Sequence, residues 1–294
     1  KTPREALVER GKSAQHKPRA AGDQRERPAR DDKALTAWNA LMIRGLARAG
    51  RFLDLPALID TAEQAAHFVY QHLWRDGRLL ASWRDGQAEL PGYLDDHAFM
   101  LAALIELQQA RWSSDRADWA IALGDVLLAQ FEDPAGGGFY FTAADHEALI
   151  QRPRAWTDDA LPAGNGVAAL ALNRLGHWVG DHRYTEAAER AVAAAGESIE
   201  KAPAAHCAVL DALDEVLEPP ELVVIRADAP AIEALREVAE AGHHPQRLVF
   251  TPAPGEMAAM APAQGNGAWV CRGHACLPVA QTPAELNDRL AERR

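Results

Sequence analysis

Three times along the chain a cluster of polar residues opens an otherwise apolar helical run, and the three clusters are almost evenly spaced. The first is Asp31-Asp32-Lys33, with Trp38 and Asn39 leading into the apolar run that reaches Ile43. The second is Tyr93-Leu94-Asp95-Asp96-His97 ahead of Ala98-Phe99, and the third is Pro162-Ala163-Gly164-Asn165-Gly166 ahead of Val167. The runs they open end near Gly50, Arg111 and Gly176, and further helical runs centre on Leu58, Trp119 and Tyr184. A unit recurring about every 60–65 residues predicts an array of helical hairpins.

Within each hairpin the two helices differ in kind. Residues 99–105 and 167–172 are apolar on every side, which demands cover all round, whereas Leu58, Ala62, Ala65, Val69 and Leu73 form a single stripe at helical spacing. Similar stripes follow at Ala120, Leu123, Leu127 and Phe131, and at Ala187, Ala188, Ala191, Val192 and Ala195. Inner helices are therefore expected near 35–49, 97–110 and 165–176, wrapped by outer helices near 57–73, 116–131 and 183–199. Turn-bounded β-type runs at Arg78 to Arg84, Gly138 to Phe141 and Glu147 to Arg154 predict hairpins at one rim. They would bring Trp83, Tyr93, Phe139, Tyr140 and Trp156 near the polar clusters.

After Pro219-Pro220 the character changes to strand, helix, strand: Leu222 to Ile225, Ala229 to Ala241, Arg247 to Phe250, then a further apolar run from Ala268 to Cys271. This predicts a small α/β domain over 219–294, following an (α/α) toroid segment of three hairpins over 34–218 and a basic linker or helix over 1–33. No Gly-rich phosphate loop accompanies it, so no nucleotide cofactor is expected.

The formal charge of −11 is uneven. Residues 1–33 hold ten Lys and Arg against six Asp and Glu, so the rest of the chain carries 36 acidic against 21 basic residues. A body that acidic is expected to bind no nucleic acid. No apolar run reaches membrane-spanning length and the basic start lacks an apolar core, so neither membrane insertion nor a signal peptide is expected. The cysteines Cys207, Cys271 and Cys276 offer too few ligands for a metal site and no disulfide framework; Cys271 and Cys276 are expected as small buried residues about a turn, in a cytoplasmic setting.

The chemistry, if any, belongs to the polar clusters. Asp31, Asp32, Asp95 and Asp96 are candidates for paired carboxylates at one mouth, where crowding of like charge raises one pKa into the range of an acid catalyst. Helix capping is the structural alternative for each. His97, beside Asp96, is a candidate proton shuttle or a satisfied core histidine. Trp38, Tyr93 and Trp156 could stack on sugar faces while Lys33, Asn39 and Asn165 take hydroxyls, or all could be core and rim residues.

Several motifs carry a resemblance along nearly the whole chain. Asp-Asp-Lys-x-Leu-Thr-x-Trp-Asn at 31–39, Gly-Tyr-Leu-Asp-Asp-His-Ala-Phe at 92–99, Gly-Gly-Gly-Phe at 136–139, Asp-His-Glu at 145–147, Pro-x-Gly-Asn at 162–165 and Cys-x4-Cys-x-Pro at 271–278 resemble the spermatogenesis-associated protein 20, or YyaL-type, family. That family usually has Gly after the Trp-Asn pair and Ser after Gly-Asn, where this chain has Ala40 and Gly166. The resemblance implies a mainly α fold, a partial (α/α)6 toroid of the six-hairpin glycosidase-like class with a small C-terminal α/β domain. It also implies that this sequence covers only the C-terminal portion, with a thioredoxin-like domain and the other barrel half as missing partners. A carbohydrate ligand and a hydrolase or epimerase role follow as expectations, with a non-catalytic sugar- or peptide-binding module or a helical scaffold as alternatives.

Overall fold

The computed structural model describes residues 31–147, 150–242, 244–253, 265–273 and 275–292, with isolated positions 6, 10, 25 and 256. Lys1–Lys33 and Ala34–Arg294 are separate units. The expected basic linker lies mostly outside the described residues. Of its end, Asp31, Asp32 and Lys33 are exposed, and Lys33 Nζ approaches Asp31 at 3.4 Å.

From Ala34 on, helices alternate between two layers. α1 (Thr36–Phe52), α3 (Leu94–Ala110) and α5 (Gly164–Val179) lie side by side as inner helices. α2 (Pro56–Leu73), α4 (Ser114–Val126, continued by a π turn over Leu127–Phe131) and α6 (His182–Lys201) form the outer layer. Leu101, Leu104 and Ile105 are buried as an inner helix requires. Burial of nearly all of α3 follows from its place between α1 and α5, with α4 and the C-terminal sheet also packed on it. The outer stripe of α2 buries Ala62, Val69 and Leu73 as expected, with Ile59 and Ala66 in place of Leu58 and Ala65. Gly180 ends α5 in the left-handed conformation, φ 73°, which glycine adopts without strain.

A fourth inner helix was not anticipated. α7 (Cys207–Leu217) packs along α5, burying Ala208, Val209 and Ala212. With 11 residues and three small apolar anchors it shows too little periodicity to stand out in the sequence.

Among the rim strands, β1 (Ala34–Leu35), β2 (Trp74–Arg75) and β4 (Gln87–Pro91) all pair antiparallel with β3 (Arg78–Arg84), giving the expected hairpin at Asp85-Gly86. The second expected hairpin does not form. Phe139 takes only an isolated bridge with Glu132, because the Asn165 side chain occupies both its N–H and its carbonyl, and Pro153 has no N–H for a ladder.

In the C-terminal sheet, β5 (Glu221–Arg226) is parallel to β6 (Arg247–Phe250) and antiparallel to β7 (Gly267–Arg272), which pairs with the short β8 (Ala275–Cys276). α8 (Ala229–Glu240) links β5 to β6, and α9 (Pro283–Ala291) closes the chain. One sheet face joins the helical core through Phe250, which stacks on Trp178 at 5.0 Å and meets Trp112 edge-on. Arg236 of α8 reaches the carbonyls of Gln109 and Ala110 at the end of α3. Cys271 and Cys276 are joined by a disulfide, contrary to the expectation of two small residues about a turn: the β7–β8 register places them opposite one another.

α1 is the exception among the inner helices. Trp38 is 62% exposed and Met42 61%, one turn apart on a face that nothing among the described residues of 34–294 covers, with Phe52 further along. An apolar face of this kind drives association. The chain is expected to self-associate with rising concentration in dynamic light scattering, and Trp38→Ser with Met42→Ser to reverse it; equal hydrodynamic radii at all concentrations would refute the effect.

Candidate functional site

The first turns of α3 and α5 meet at one rim, and the aspartates there divide into two kinds. Asp96 is buried, and its two oxygens accept from Tyr93 N at 2.8 Å and Ala37 N at 2.9 Å. One carboxylate thus caps α3 and the neighbouring α1 together. Burial pushes Asp96 up to about 7, against the pull of the two N–H donors. With both oxygens engaged, its geometry is that of a helix cap rather than of a proton-transfer group.

Asp95, one residue earlier, points elsewhere. It is half-buried, has no hydrogen-bond or ion-pair partner among the described residues, and lies against the first residue of α5. A Cβ at position 164 would collide with its Oδ1, so Gly164 is what lets the carboxyl approach. Burial alone pushes Asp95 up to about 6. A carboxyl with that value and no protein partner can hold or release a proton near neutral pH.

His97 is buried in a saturated setting. Its Nδ1 is 2.9 Å from the Tyr93 carbonyl and its Nε2 accepts from Leu79 N at 3.3 Å, so one tautomer satisfies both contacts. Burial brings it down to about 4, and it stays neutral. Its bonds lock the β3 edge to α3, which leaves no ring nitrogen for a proton shuttle.

Asn165 is likewise engaged in full. Its Oδ1 accepts from Phe139 N at 2.6 Å, and its Nδ2 donates to the carbonyls of Phe139 at 2.9 Å and Ala155 at 3.0 Å. The clamp ties two rim loops to the start of α5. Asn165→Ala removes three bonds and strands buried backbone groups, so it is expected to destabilise by about 3 kcal/mol in urea melts; an unchanged midpoint would sink the clamp. Asn39 donates to Leu35 O at 2.8 Å within its own helix start, and Trp38 lies on the uncovered face of α1.

The aromatics separate as well. Tyr93 stacks on Phe141 at 4.9 Å with His146 against its edge, while Trp156 lies over Gly138, where a Cβ would clash with its ring. Gly138 has φ 78°, so glycine is required there twice over. Phe139 is core, Tyr140 is held by Asp133 and the Arg152 guanidinium, and Trp83 packs on Phe68 and His72. Thus Asp95, Tyr93 and Trp156 flank the starts of α3 and α5, and Trp83 and Tyr140 do not join them.

A further carboxylate went unnoticed in the sequence. Asp158 accepts from Ala163 N at 2.8 Å and Ala208 N at 3.0 Å, capping α5 and α7 as Asp96 caps α3 and α1. The visible signal was a third doubled aspartate, Asp158-Asp159, just before the third polar cluster. Among the described residues no group of His, Cys, Asp and Glu could hold a metal ion, and no helix is long and apolar enough to cross a membrane.

No protein-family model matches the chain. Human spermatogenesis-associated protein 20 is 28% identical over 291 residues, which cover 90% of this chain and 37% of that protein. The mouse protein of the same name is 31% identical over 212 residues, covering 68% and 27% respectively. The chain therefore spans well under half the length of these relatives. Among solved structures, the GH76 α-mannanase of Bacteroides thetaiotaomicron superposes with a TM-score of 0.50 at 14% identity, over 64% of this chain and 54% of the enzyme. The chain is a homologue of spermatogenesis-associated protein 20, matched along most of its own length, on the helical-hairpin fold of the six-hairpin glycosidase-like class.

Proposed function

We propose that the chain is the carbohydrate-processing part of a larger protein and that Asp95 is its proton-transfer group. The observation that supports this is the state of Asp95: half-buried, without a hydrogen-bond or ion-pair partner among the described residues, raised to about 6, and in contact with Gly164 at the start of α5. Cleavage of a glycosidic bond uses a carboxyl that is protonated in part at neutral pH, next to rings that take the apolar face of a sugar. The α-mannanase with the same fold makes a glycan the first class of substrate to try.

A non-catalytic sugar- or peptide-binding module is the second reading. It is favoured by the full engagement of Asp96 and His97, which leaves Asp95 as the one carboxyl of its cluster open to a ligand. A glycan array read with both the wild type and Asp95→Asn distinguishes the two. The proposal expects a bound glycan that the wild type converts and the variant binds without converting. A glycan bound equally by both and converted by neither supports the binding module, and no bound glycan at all overturns the carbohydrate reading.

A further inference from the structure

On the outer layer, α2 and α4 leave a groove of about 550 Å³ between them. That is the size of a small-molecule site rather than of a packing defect. Ala66 and Ala122 line it at positions where longer side chains would close it.

Its aromatic wall is built from three rings. Trp119, 4% exposed, forms the floor; Tyr70 meets it at 5.0 Å and 73°, and Trp74 at 5.9 Å and 67°. Rings that meet at such angles present walls of different orientation instead of one flat stack. Tyr70 is 48% exposed, which is expensive for so large a ring without a task, and no hydrogen bond holds its hydroxyl among the described residues.

The charges in the groove do not cancel. Three carboxylates, Glu63, Asp115 and Asp118, line it against one guanidinium, Arg116. Glu63 is held by Arg116 and also by Arg111 outside the groove. Asp118 makes no hydrogen bond or ion pair among the described residues, and Asp115 feels Arg116 only at longer range. A surplus of negative charge beside aromatic faces disfavours an anion and gives a neutral polyol no electrostatic advantage. Both features favour the same ligand: a cation with apolar surface, attracted by the ring quadrupoles and by the unpaired carboxylates together.

We propose that the groove between α2 and α4 binds a small organic cation, an alkylated ammonium compound, with its charged head against Tyr70 and Trp74 and facing Asp118. The site is separate from the rim around Asp95, and the proposal stands whether or not that rim acts on sugars.

Choline serves as the probe, titrated by calorimetry against the intact protein, with tryptophan fluorescence reporting Trp74 and Trp119. Saturable binding is expected, weakening as salt is added. Tyr70→Ala should weaken it about fivefold or more and Tyr70→Phe should restore it, because the ring and not the hydroxyl carries the attraction. Asp118→Asn should weaken it without altering the melting curve, since Asp118 is exposed. Ala122→Leu, which fills the groove, should abolish binding. Absence of choline binding at millimolar concentration overturns the proposal. So does binding unaffected by Asp118→Asn and Ala122→Leu, or binding of glucose or acetate as tight as that of choline.

Discussion

Asp96→Ala is expected to lower the free energy of unfolding by about 3 kcal/mol, because one substitution uncaps two helices at once. The N–H groups of Tyr93 and Ala37 would both lose their acceptor in a site that water reaches poorly. A cap is worth about 1 kcal/mol, and an unpaired buried donor adds about 1 kcal/mol or more. The pH dependence supplies a second readout. Since burial raises Asp96 to about 7, above its unfolded value, the native state holds the proton more tightly than the unfolded chain. Its contribution is therefore complete below about pH 4 and is lost as pH rises through 7. Urea melts from pH 4 to 8 should show that loss in the wild type and a flatter profile in Asp96→Asn. Equal stability of the alanine variant would mean that the double cap does not exist.

Asp95→Asn should act on turnover instead. Loss of a positioned proton donor costs on the order of 100-fold or more in rate, while the amide keeps the shape of the carboxyl against Gly164. As a general acid, Asp95 must be protonated, so wild-type activity on a converted glycan should fall as pH rises through about 6, and that limb should vanish in the variant. Stability moves the other way. The raised carboxyl costs the native state stability once ionised, so the amide variant should melt at or above the wild type at pH 8. A variant with undiminished turnover would remove Asp95 from the chemistry, and one that instead unfolds would make it a structural residue.

The inner helices α3 and α5 were legible because no polar face interrupts their apolar runs, and a helix of that kind has nowhere to go but the interior. The polar clusters were legible as clusters, and their roles were not. Asp95 and Asp96 are neighbours in sequence, but successive helical residues diverge by about 100°, so one enters the gap between Ala37 and Tyr93 and the other faces α5. Nothing in the chain order reveals which does which. Asn165 resembled a ligand-binding amide because the sequence could not show that Phe139 and Ala155, 26 and 10 residues earlier, would together use all of it. The Cys271–Cys276 link depended on the β7–β8 register, which five residues of spacing leave open.

The two bridging aspartates have a consequence for how this array comes apart. Hairpin arrays melt as chains of nearest-neighbour units, each unit's opening coupled to the next only through their shared interface. Asp96 couples α1 to α3 and Asp158 couples α5 to α7 through the amide protons of their opening turns, the places where isolated helices fray first. Fraying of one helix then exposes a carboxylate that its neighbour also needs, so the rim opens in pairs. The array is tied by twos at the end that carries Asp95, and the amides of those four turns should open with free energies shared by pairs rather than set by single helices.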